Sequence, residues 1–541
     1  PAELGLIMKI KQSYDVVIVG AGPVGVAMAS LLGKYNISTL LIDREPKINE
    51  TPRAISLCEE GSRVLSAAGV LETFTSHIHN IAKLRFDRPY GKTLAFGKTD
   101  TKINGYPTLR TYYQPDLERC LRASLDQYDH VDLSVSTTCL NFQDHGNGVS
   151  LNIDKDGQNL NIHCRFMIAS DGANSTTRKT LGINFKGKTY GEDWIVFDAE
   201  YNPLPDDEVV LLCDPDRPGI TMSAPNGRRR WEFLVKDTDD RELILEDLAV
   251  AELLKPWGDA RDMALTRKTI YTFHARIADS FQKANVFLIG DAAHITPPFA
   301  GQGLMAGFRD CYNLAWKIRD VLGARARPQL LETYETDRKH QVKQIIWFAK
   351  FVGAYLLPPN RLSANFRDLG MKLGRLLGAH SDSKPIEFSK IPNHINGNLL
   401  RHIFISKWKK IGFEFPQHLV ATAAGKAHLI DHLMNDHHYL ISINRDPSAA
   451  LNPDLAARWR AIGGRFLMLD HRQPNESAAI LTSDHCLRLL TQCDYYRTFF
   501  ARPDTIIAIR PDKMIIVNCP SDKLESKLDR YLLNIEIVPQ T

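Results

Sequence analysis

Gly20-Ala21-Gly22-Pro23-Val24-Gly25 follows the apolar run Asp15-Val16-Val17-Ile18-Val19, and Asp43 closes the next apolar run. Those residue types suit the grip of a dinucleotide. Gly20 permits a tight turn, Gly22 lets the backbone approach a pyrophosphate, and Gly25 lets a helix pack closely on a strand. An acid about 20 residues past the turn is placed to hydrogen-bond a ribose hydroxyl. The elements that must position this chemistry are legible. The β-branched run before Gly20 predicts a buried parallel strand, and residues 24–32 carry apolar side chains at helical spacing. The helix N-terminus then turns unpaired N–H groups and the positive end of its dipole toward the phosphates. This segment alone does not separate one adenine dinucleotide from another.

Two later segments do. Phe166-Met167-Ile168-Ala169 reads as a strand that runs into Asp171-Gly172-Ala173-Asn174-Ser175, with Arg178 at the start of a helix. Val286-Phe287-Leu288-Ile289 reads as another strand. It is followed by Gly290-Asp291-Ala292-Ala293-His294, Pro297-Pro298 and Gly301-Gln302-Gly303, where a further helix begins. The proline pair stiffens the backbone and the glycines allow close approach. The loop therefore suits a flat ring laid against main-chain carbonyls and N–H groups. Taken in order, the three segments point to FAD, held non-covalently.

The bulk properties set the class. The chain has 541 residues, 44% hydrophobic and 24% charged, an ordinary globular composition. The length predicts roughly two to four domains. A net charge of +4 argues for neither nucleic acid nor a membrane surface as partner. None of the nine cysteines forms a Cys-x-x-Cys pair, which argues against a disulfide framework or zinc site and for a reducing, cytoplasmic setting. The apolar run 345–357 is interrupted by Lys350 and stopped by Pro358-Pro359; it is too short to span a bilayer and predicts a buried helix. No basic-then-apolar leader opens the chain, and Met8 is the expected native start, with Pro1 to Ile7 an addition ahead of it. His432, Asp436, His437 and His438 have metal-ligand types but lack companion ligands nearby, so a surface helix end is expected and no metal.

On these motifs the sequence resembles the single-component flavoprotein aromatic hydroxylases, relatives of para-hydroxybenzoate hydroxylase, over residues 14–334 and more weakly beyond. It is most similar to the 3-(3-hydroxyphenyl)propionate hydroxylases and the related phenol and polyketide hydroxylases. Pro52-Arg53-Ala54, Gln114-Pro115-Asp116-Leu117-Glu118, Arg309-Asp310 and Asn313-Leu314-Ala315-Trp316-Lys317 also match. The resemblance implies that Asp43 binds the adenosine ribose, that Arg53 and Gln114 hold the ribityl–phosphate section, and that Asp291 binds the ribityl hydroxyls. Gly303, Leu304 and Met305 would present main-chain N–H groups to the flavin pyrimidine edge, stabilising negative charge on the reduced ring. Asp171 and Gly172 would touch both FAD and a passing NADH or NADPH. Met305 stands where relatives often have Asn; a main-chain contact survives that change and a side-chain contact does not. The implied chemistry is hydroxylation of a phenolic ring through a flavin C4a-hydroperoxide, with NAD(P)H and O2, and ortho to an existing hydroxyl on a phenylpropanoid acid.

The expected fold is α/β: a Rossmann-like FAD-binding domain from residues 8–80, 109–188 and 272–377, an inserted antiparallel substrate sheet from 81–108 and 189–271, a linker at 378–391, and a C-terminal thioredoxin-like domain over 392–541. The last lacks the Cys-x-x-Cys of dithiol exchange. Arg465 to Asp470, Asp504 to Asp512 and Met514 to Val517 read as its strands. In Arg230-Trp231-Glu232-Phe233-Leu234-Val235 the alternation puts Trp231, Phe233 and Val235 on one face; Lys268 to His274 and Ile220 to Ala224 alternate similarly. Candidate substrate residues are Tyr190, Phe197, Met222, Trp231, Phe233, Tyr271 and Phe273 beside Pro298, though any of the aromatics is equally suited to a core. His274 and His294 are the candidate bases, with a satisfied structural histidine the plainer reading of each. Arg228-Arg229-Arg230 suits either an acidic substrate or a solvated strand end. A larger polycyclic phenol is the alternative substrate class, and an FAD-binding redox sensor the alternative of another kind. A flavin-dependent halogenase would carry Trp-x-Trp-x-x-Pro, which this sequence lacks. Oligomeric state stays open, with a homodimer the one assembly considered.

Overall fold

The computed structural model describes residues 10–89, 92–356, 358, 360–376, 411–421, 426–470, 486–491, 496, 500 and 502–535. Within them the chain forms two units. One comprises Pro1–Gly33, Ser38–Phe308 and Ile345–Ile391, the other Lys34–Ile37, Arg309–Gln344 and Pro392–Thr541.

The first unit holds a parallel core in the order Val131–Ser134, Thr39–Ile42, Ser13–Val19, Gln158–Ala169, Val286–Leu288. Val16, Val17, Ile18, Leu40, Leu41, Ile168 and Phe287 have no exposed surface, as strands covered on both faces require. Gln158–Ala169 changes partner along its length: its first part pairs antiparallel with Val149–Lys155, its last part runs parallel to Ser13–Val19. Because the core strands are parallel, their carboxyl ends lie on one edge. Gly20, Asp43, Asp171 and Gly290 all leave from that edge, where ligands bind in open α/β sheets.

A second, 8-stranded sheet runs His294–Ile295, Leu265–Ala278, Phe185–Ala199, Arg229–Leu234, Gly219–Ser223, Glu208–Leu212, Lys83–Arg88, Lys92–Lys98. It is antiparallel except where Glu208–Leu212 meets Lys83–Arg88. Phe185–Ala199 and Leu265–Ala278 are long continuous strands that carry the chain across both expected boundaries of this sheet.

The second unit has its own mixed sheet. His438–Ile443 is parallel to Gly464–Asp470 and antiparallel to Thr505–Ile509, which pairs in turn with Ile515–Pro520. Trp316, Leu440, Trp459, Phe466, Leu528 and Leu532 share its core. Residues 309–344, expected in the flavin domain, pack with this unit. A buried polar network joins them to it. Asp337 accepts hydrogen bonds from Lys317 Nζ (2.8 Å), Arg510 Nη1 (2.8 Å) and Asn313 Nδ2 (3.2 Å), and Asn313 Nδ2 also reaches Asp512 (2.9 Å). Asn313 and Lys317 therefore serve this unit's packing. His438, read as part of a surface helix end, is instead buried edge-on against Trp316 and Trp459. Asp436 is buried too, and accepts from Lys34 Nζ at 2.9 Å. The expected linker at 378–391 lies outside the described residues.

The run expected as a buried helix lies in Thr333–Leu356, with Ile345 and Ala349 buried but Trp347, Phe351 and Tyr355 exposed. Among the described residues no helix is long and apolar enough to cross a membrane.

Candidate active site

The three glycine-bearing segments pack on one another. A Cβ on Gly20 (φ +107°) would lie 2.4 Å from the Ser170 carbonyl oxygen, and one on Gly25 would lie 1.9 Å from the Gly20 carbonyl and 2.5 Å from Ser170 Oγ. The Ser170 hydroxyl donates to the Gly20 carbonyl at 2.6 Å. Gly290 (φ +57°) rests on Val24. Arg178 Nη1 donates to the Ala292 carbonyl at 2.8 Å, tying the second segment to the third. Gly22 is different, since a Cβ there would meet nothing within 4 Å. Close packing of the protein itself thus explains Gly20, Gly25 and Gly290, while Gly22 faces open space beside the N-terminus of the helix Pro23–Lys34.

The acids take distinct places. Asp43 Oδ2 accepts from the Ala21 N–H at 2.7 Å and Oδ1 from the Glu45 N–H at 2.8 Å, fixing the carboxylate beside the glycine turn. Asp171 Oδ2 accepts from the Thr177 N–H at 3.0 Å, while its buried Oδ1 has no protein partner. Asp291 has open surface. Protein packed around it nonetheless pushes its carboxyl above the usual carboxylate range, and the attraction of His294 and Arg53 only partly offsets this. Gln114 is buried, and its Oε1 accepts from the N–H groups of Arg53 (3.0 Å) and Ala54 (2.7 Å). Its amide oxygen is engaged in shaping the Arg53 segment, whose side chain is exposed.

Pro297 is buried and Pro298 exposed, opening the short turn Pro298–Ala300. Gly301 adopts φ +59° against Ser56. In the helix Gly303–Leu322 the first intrahelical bond runs from the Ala306 N–H to the Gln302 carbonyl. The N–H groups of Gly303, Leu304 and Met305 therefore precede the helical ladder and are the ones a helix N-terminus offers outward. The Met305 side chain is buried against Gly61, where a Cβ would lie 2.2 Å from its sulfur. That leaves only its main-chain N–H available to a ligand there. An adenine dinucleotide with a flavin ring fits these residues: open space at Gly22, a buried unpartnered oxygen on Asp171, an accessible Asp291, and outward N–H groups beyond Pro298.

The second sheet presents one face to this loop. Trp194 pairs with Tyr271 and Asp198 with Arg267 and Arg230, so their side chains share a face. Trp194 and Phe273 form an aromatic cluster with Phe299 of the Pro298 turn, with centroids 5.8–6.1 Å apart. Met222 lies on this same face, packed with Leu84, Val209 and, from the Arg53 segment, Ile55. Phe197, Trp231 and Phe233 lie on the opposite face, where they form a core with Val250 and Leu254 of the helix Asp247–Leu254. The sequence alternation grouped Trp231 and Phe233 correctly on one face, which Phe197 joins, but that face turns away from the loop. His274 alternates away from Phe273 and its Nδ1 lies 3.1 Å from the Thr189 hydroxyl. His294 is buried with its ring against Phe281. Neither histidine joins the Trp194–Phe273–Phe299 cluster. The side chain of Tyr190 lies outside the described residues.

Arg229 and Arg230 are buried, so the strand end is not solvated. Arg230 donates to the carbonyls of Arg53 and Pro52, both at 2.8 Å, and Arg267 to Pro52 at 2.7 Å. Asp198 binds both guanidiniums, at 2.7 and 3.1 Å. The sheet therefore clamps the backbone of the Arg53 segment. Trp194, Asp198, Arg267 and Phe299 were missed from sequence. For Trp194, Asp198 and Arg267 the alternation of their strands was visible, but alternation says which residues share a face and not what that face meets.

Residues 13–349 match the family described as FAD binding domain, and residues 412–533 match the HcaD C-terminal domain. The 3-(3-hydroxy-phenyl)propionate/3-hydroxycinnamic acid hydroxylase of Burkholderia cenocepacia (strain HI2424) is 34% identical over 458 residues, covering 84% of each chain. The enzyme of the same name from Klebsiella pneumoniae (strain 342) is 32% identical over 516 residues, 94% of this chain and 92% of that one. Among solved structures, the flavin-dependent monooxygenase PieE, in complex with FAD and substrate, aligns with a TM-score of 0.75 at 17% identity, over 96% of this chain and 99% of that one. Aklavinone-11 hydroxylase, in a ternary complex with FAD and aklavinone, aligns at 0.73 and 21% identity, over 97% and 100%. At those identities the likeness is one of fold.

Proposed function

This chain belongs to the FAD binding domain family and is a flavoprotein aromatic monooxygenase; from that premise we propose that it hydroxylates a phenylpropanoid acid of the 3-(3-hydroxyphenyl)propionate type, ortho to the phenolic hydroxyl. The observation that carries this reading is the 34% identity to such a hydroxylase over 84% of both chains. The overall reaction consumes the phenol, O2, NADH or NADPH and a proton, and yields the catechol, water and oxidised nicotinamide. FAD, when bound, supplies the activation of oxygen.

The chain's own residues bind, orient and exclude water. Gly22 and the first turn of Pro23–Lys34 receive the pyrophosphate, Asp43 the ribose, and Asp291 the ribityl hydroxyls, with Asp171 and Gly172 beside them. The main-chain N–H groups of Gly303, Leu304 and Met305 stabilise negative charge at the ring edge. Trp194, Tyr271, Phe273, Phe299 and Pro298 enclose the reacting ring and keep the site dry. The clamp of Arg230, Arg267 and Asp198 holds the Arg53 segment in register with the sheet that carries the substrate.

We take the C-terminal unit to be thioredoxin-like and structural, and the protein to be cytoplasmic. A parallel central pair flanked by an antiparallel pair and a terminal helix, Leu524–Ile535, supports the fold reading. Burial pushes the Cys486 thiol up to about 12 and raises that of Cys519, so neither is a ready thiolate. Cys493 lies outside the described residues, and the described cysteines are all unbridged.

The deciding experiment incubates the holoenzyme with 3-(3-hydroxyphenyl)propionate, 3-hydroxycinnamate and polycyclic phenols under labelled oxygen, with NADH and NADPH in parallel. The reading expects one labelled oxygen in the catechol of the phenylpropanoid acids and faster flavin reduction in their presence. Labelled product from a polycyclic phenol alone would move the substrate class to the alternative. No labelled product from any phenol would remove the hydroxylase reading.

A further inference from the structure

The sheet face that meets the Pro298 loop carries one more ionisable group. Glu232 stands two residues from Arg230 on the strand Arg229–Leu234, so its side chain shares that face. It pairs on one side with Val196, which lies between Trp194 and Asp198 on the adjacent strand, and on the other with Ile220. That register sets it between the Trp194–Phe273–Phe299 cluster and the clamp of Arg230, Arg267 and Asp198. Glu232 therefore stands in the middle of the surface that roofs the loop, where His274 and His294 do not reach.

The two carboxylates on this face are held differently. Asp198 accepts directly from Arg230 and Arg267, which also donate to the carbonyls of Pro52 and Arg53, and Arg267 donates to the Tyr271 hydroxyl. Glu232 is only 14% exposed, yet its closest cation is Arg230 Nη1, 3.9 Å from Oε1, and among the described residues no donor hydrogen-bonds its carboxylate. Buried carboxylates ordinarily have such a donor. Burial raises the Glu232 carboxyl above its usual range; Arg230 and Arg267 draw it down and Asp198 pushes it up. Tyr271 and Tyr112 stand beyond, near enough to couple to the Arg230 charge. A half-desolvated acceptor of this kind, facing a site, has the properties of a general base.

Resting on the phenolic substrate assigned above, we propose that Glu232 accepts the hydrogen bond of the substrate's phenol and takes its proton as the ring is hydroxylated. The phenolic O–H bond breaks, the proton passes to the carboxylate, and the electron pair left on the ring oxygen makes the ortho carbon nucleophilic. That carbon takes one oxygen atom of O2 and loses its own hydrogen as a proton. The ring oxygen then recovers a proton from Glu232, which returns to carboxylate. The same charge repels the carboxylate of a phenylpropanoid acid, so the phenol end of the substrate faces Glu232 and the acid end points away.

The test needs no turnover. The oxidised, FAD-loaded protein is titrated by calorimetry with 3-(3-hydroxyphenyl)propionate and with its methyl ether, which lacks the phenolic proton. The ratio of the two affinities cancels the titration of the substrate's own carboxylate. In the wild type the phenol should bind about 10- to 100-fold tighter, as a charge-assisted hydrogen bond requires. Because the carboxylate is the acceptor, the ratio should be full at pH ~8 and shrink toward pH ~5 as Glu232 is protonated. Glu232→Gln, close in shape, should keep its FAD, lower the ratio and remove its pH dependence, and should hydroxylate about 100- to 10,000-fold more slowly. A variant that loses FAD or stability with the ratio and its pH dependence intact would make Glu232 a counter-ion of the clamp and overturn the proposal. If the variant fails to fold, the wild type decides: a ratio that falls on acidification supports the proposal, and one that ignores pH overturns it while leaving the phenolic substrate in place. A wild type that binds no phenol removes the substrate reading and this one with it.

Discussion

Gly22→Ala and Gly25→Ala differ by three positions in one glycine turn, yet they should fail in different ways. At Gly25 a Cβ would lie 1.9 Å from the Gly20 carbonyl oxygen, a backbone atom that cannot swing aside. The variant must shift helix against strand, and overpacking of this kind costs about 1–3 kcal/mol or more of stability, with or without FAD. At Gly22 the Cβ meets no protein atom within 4 Å, and the residue lies outside the left-handed backbone region. The apoprotein should therefore be as stable as wild type, or more stable by about 0.4–1 kcal/mol through a stiffer unfolded chain. What the methyl displaces is the pyrophosphate. Loss of one charge-assisted N–H bond to a phosphate oxygen is worth about 1.5–3 kcal/mol, or about 10- to 100-fold in FAD affinity. Urea unfolding of the apoproteins and FAD titration by quenching of flavin fluorescence separate the two effects. Unchanged FAD affinity in Gly22→Ala, or an apoprotein destabilised as much as Gly25→Ala, would refute the placement of the cofactor at this turn.

Three further outcomes are expected. Phe233→Ala should cost about 3–5 kcal/mol of stability as a core truncation without a selective rise in KM, whereas Trp194→Leu should raise KM for the phenol; the reverse pattern in steady-state kinetics would mean the substrate lies on the other face of the sheet. Asp337→Asn strands Lys317 and Arg510 in the C-terminal core and should cost about 3–5 kcal/mol, read by urea unfolding; a change under 1 kcal/mol (about fivefold in the folding constant) would show that the network is not what holds residues 309–344. Burial, with nearby Arg465, Arg319 and Lys513, pushes His437 down to about 4, and burial pushes His438 well below its ordinary value. Below their ordinary value near 6.5 the unfolded chain takes up protons that the folded chain refuses. Stability should therefore be full above pH ~6.5 and fall as pH drops toward 4. His437→Gln should flatten that slope in thermal melts, and an unchanged slope would remove this histidine from the account.

Much of the cofactor site was legible because its determinants are local. A β-branched run, a glycine turn and a helix start are neighbours in the chain, and parallel strands deliver their carboxyl ends to one edge, so Gly20, Asp43, Asp171 and Gly290 could be ordered before any coordinates. The alternation of Trp231 and Phe233 was equally local, and it grouped them with Val235 on one face, as they lie in the core. Which face meets the Pro298 turn was not local. It depends on the helix Asp247–Leu254 covering one side of the sheet and on the Arg53 segment being gripped on the other, contacts between residues up to 215 positions apart. For the same reason Arg230 read as a solvated strand end and proved to be a buried clamp. Asn313 and Lys317 read as part of a flavin-domain motif, but Asp337, Asp512 and Arg510 claim them for the C-terminal unit. Periodicity fixes which side chains travel together; only tertiary packing decides what they meet, because burial is a property of the partner surface and not of the strand that carries the residue.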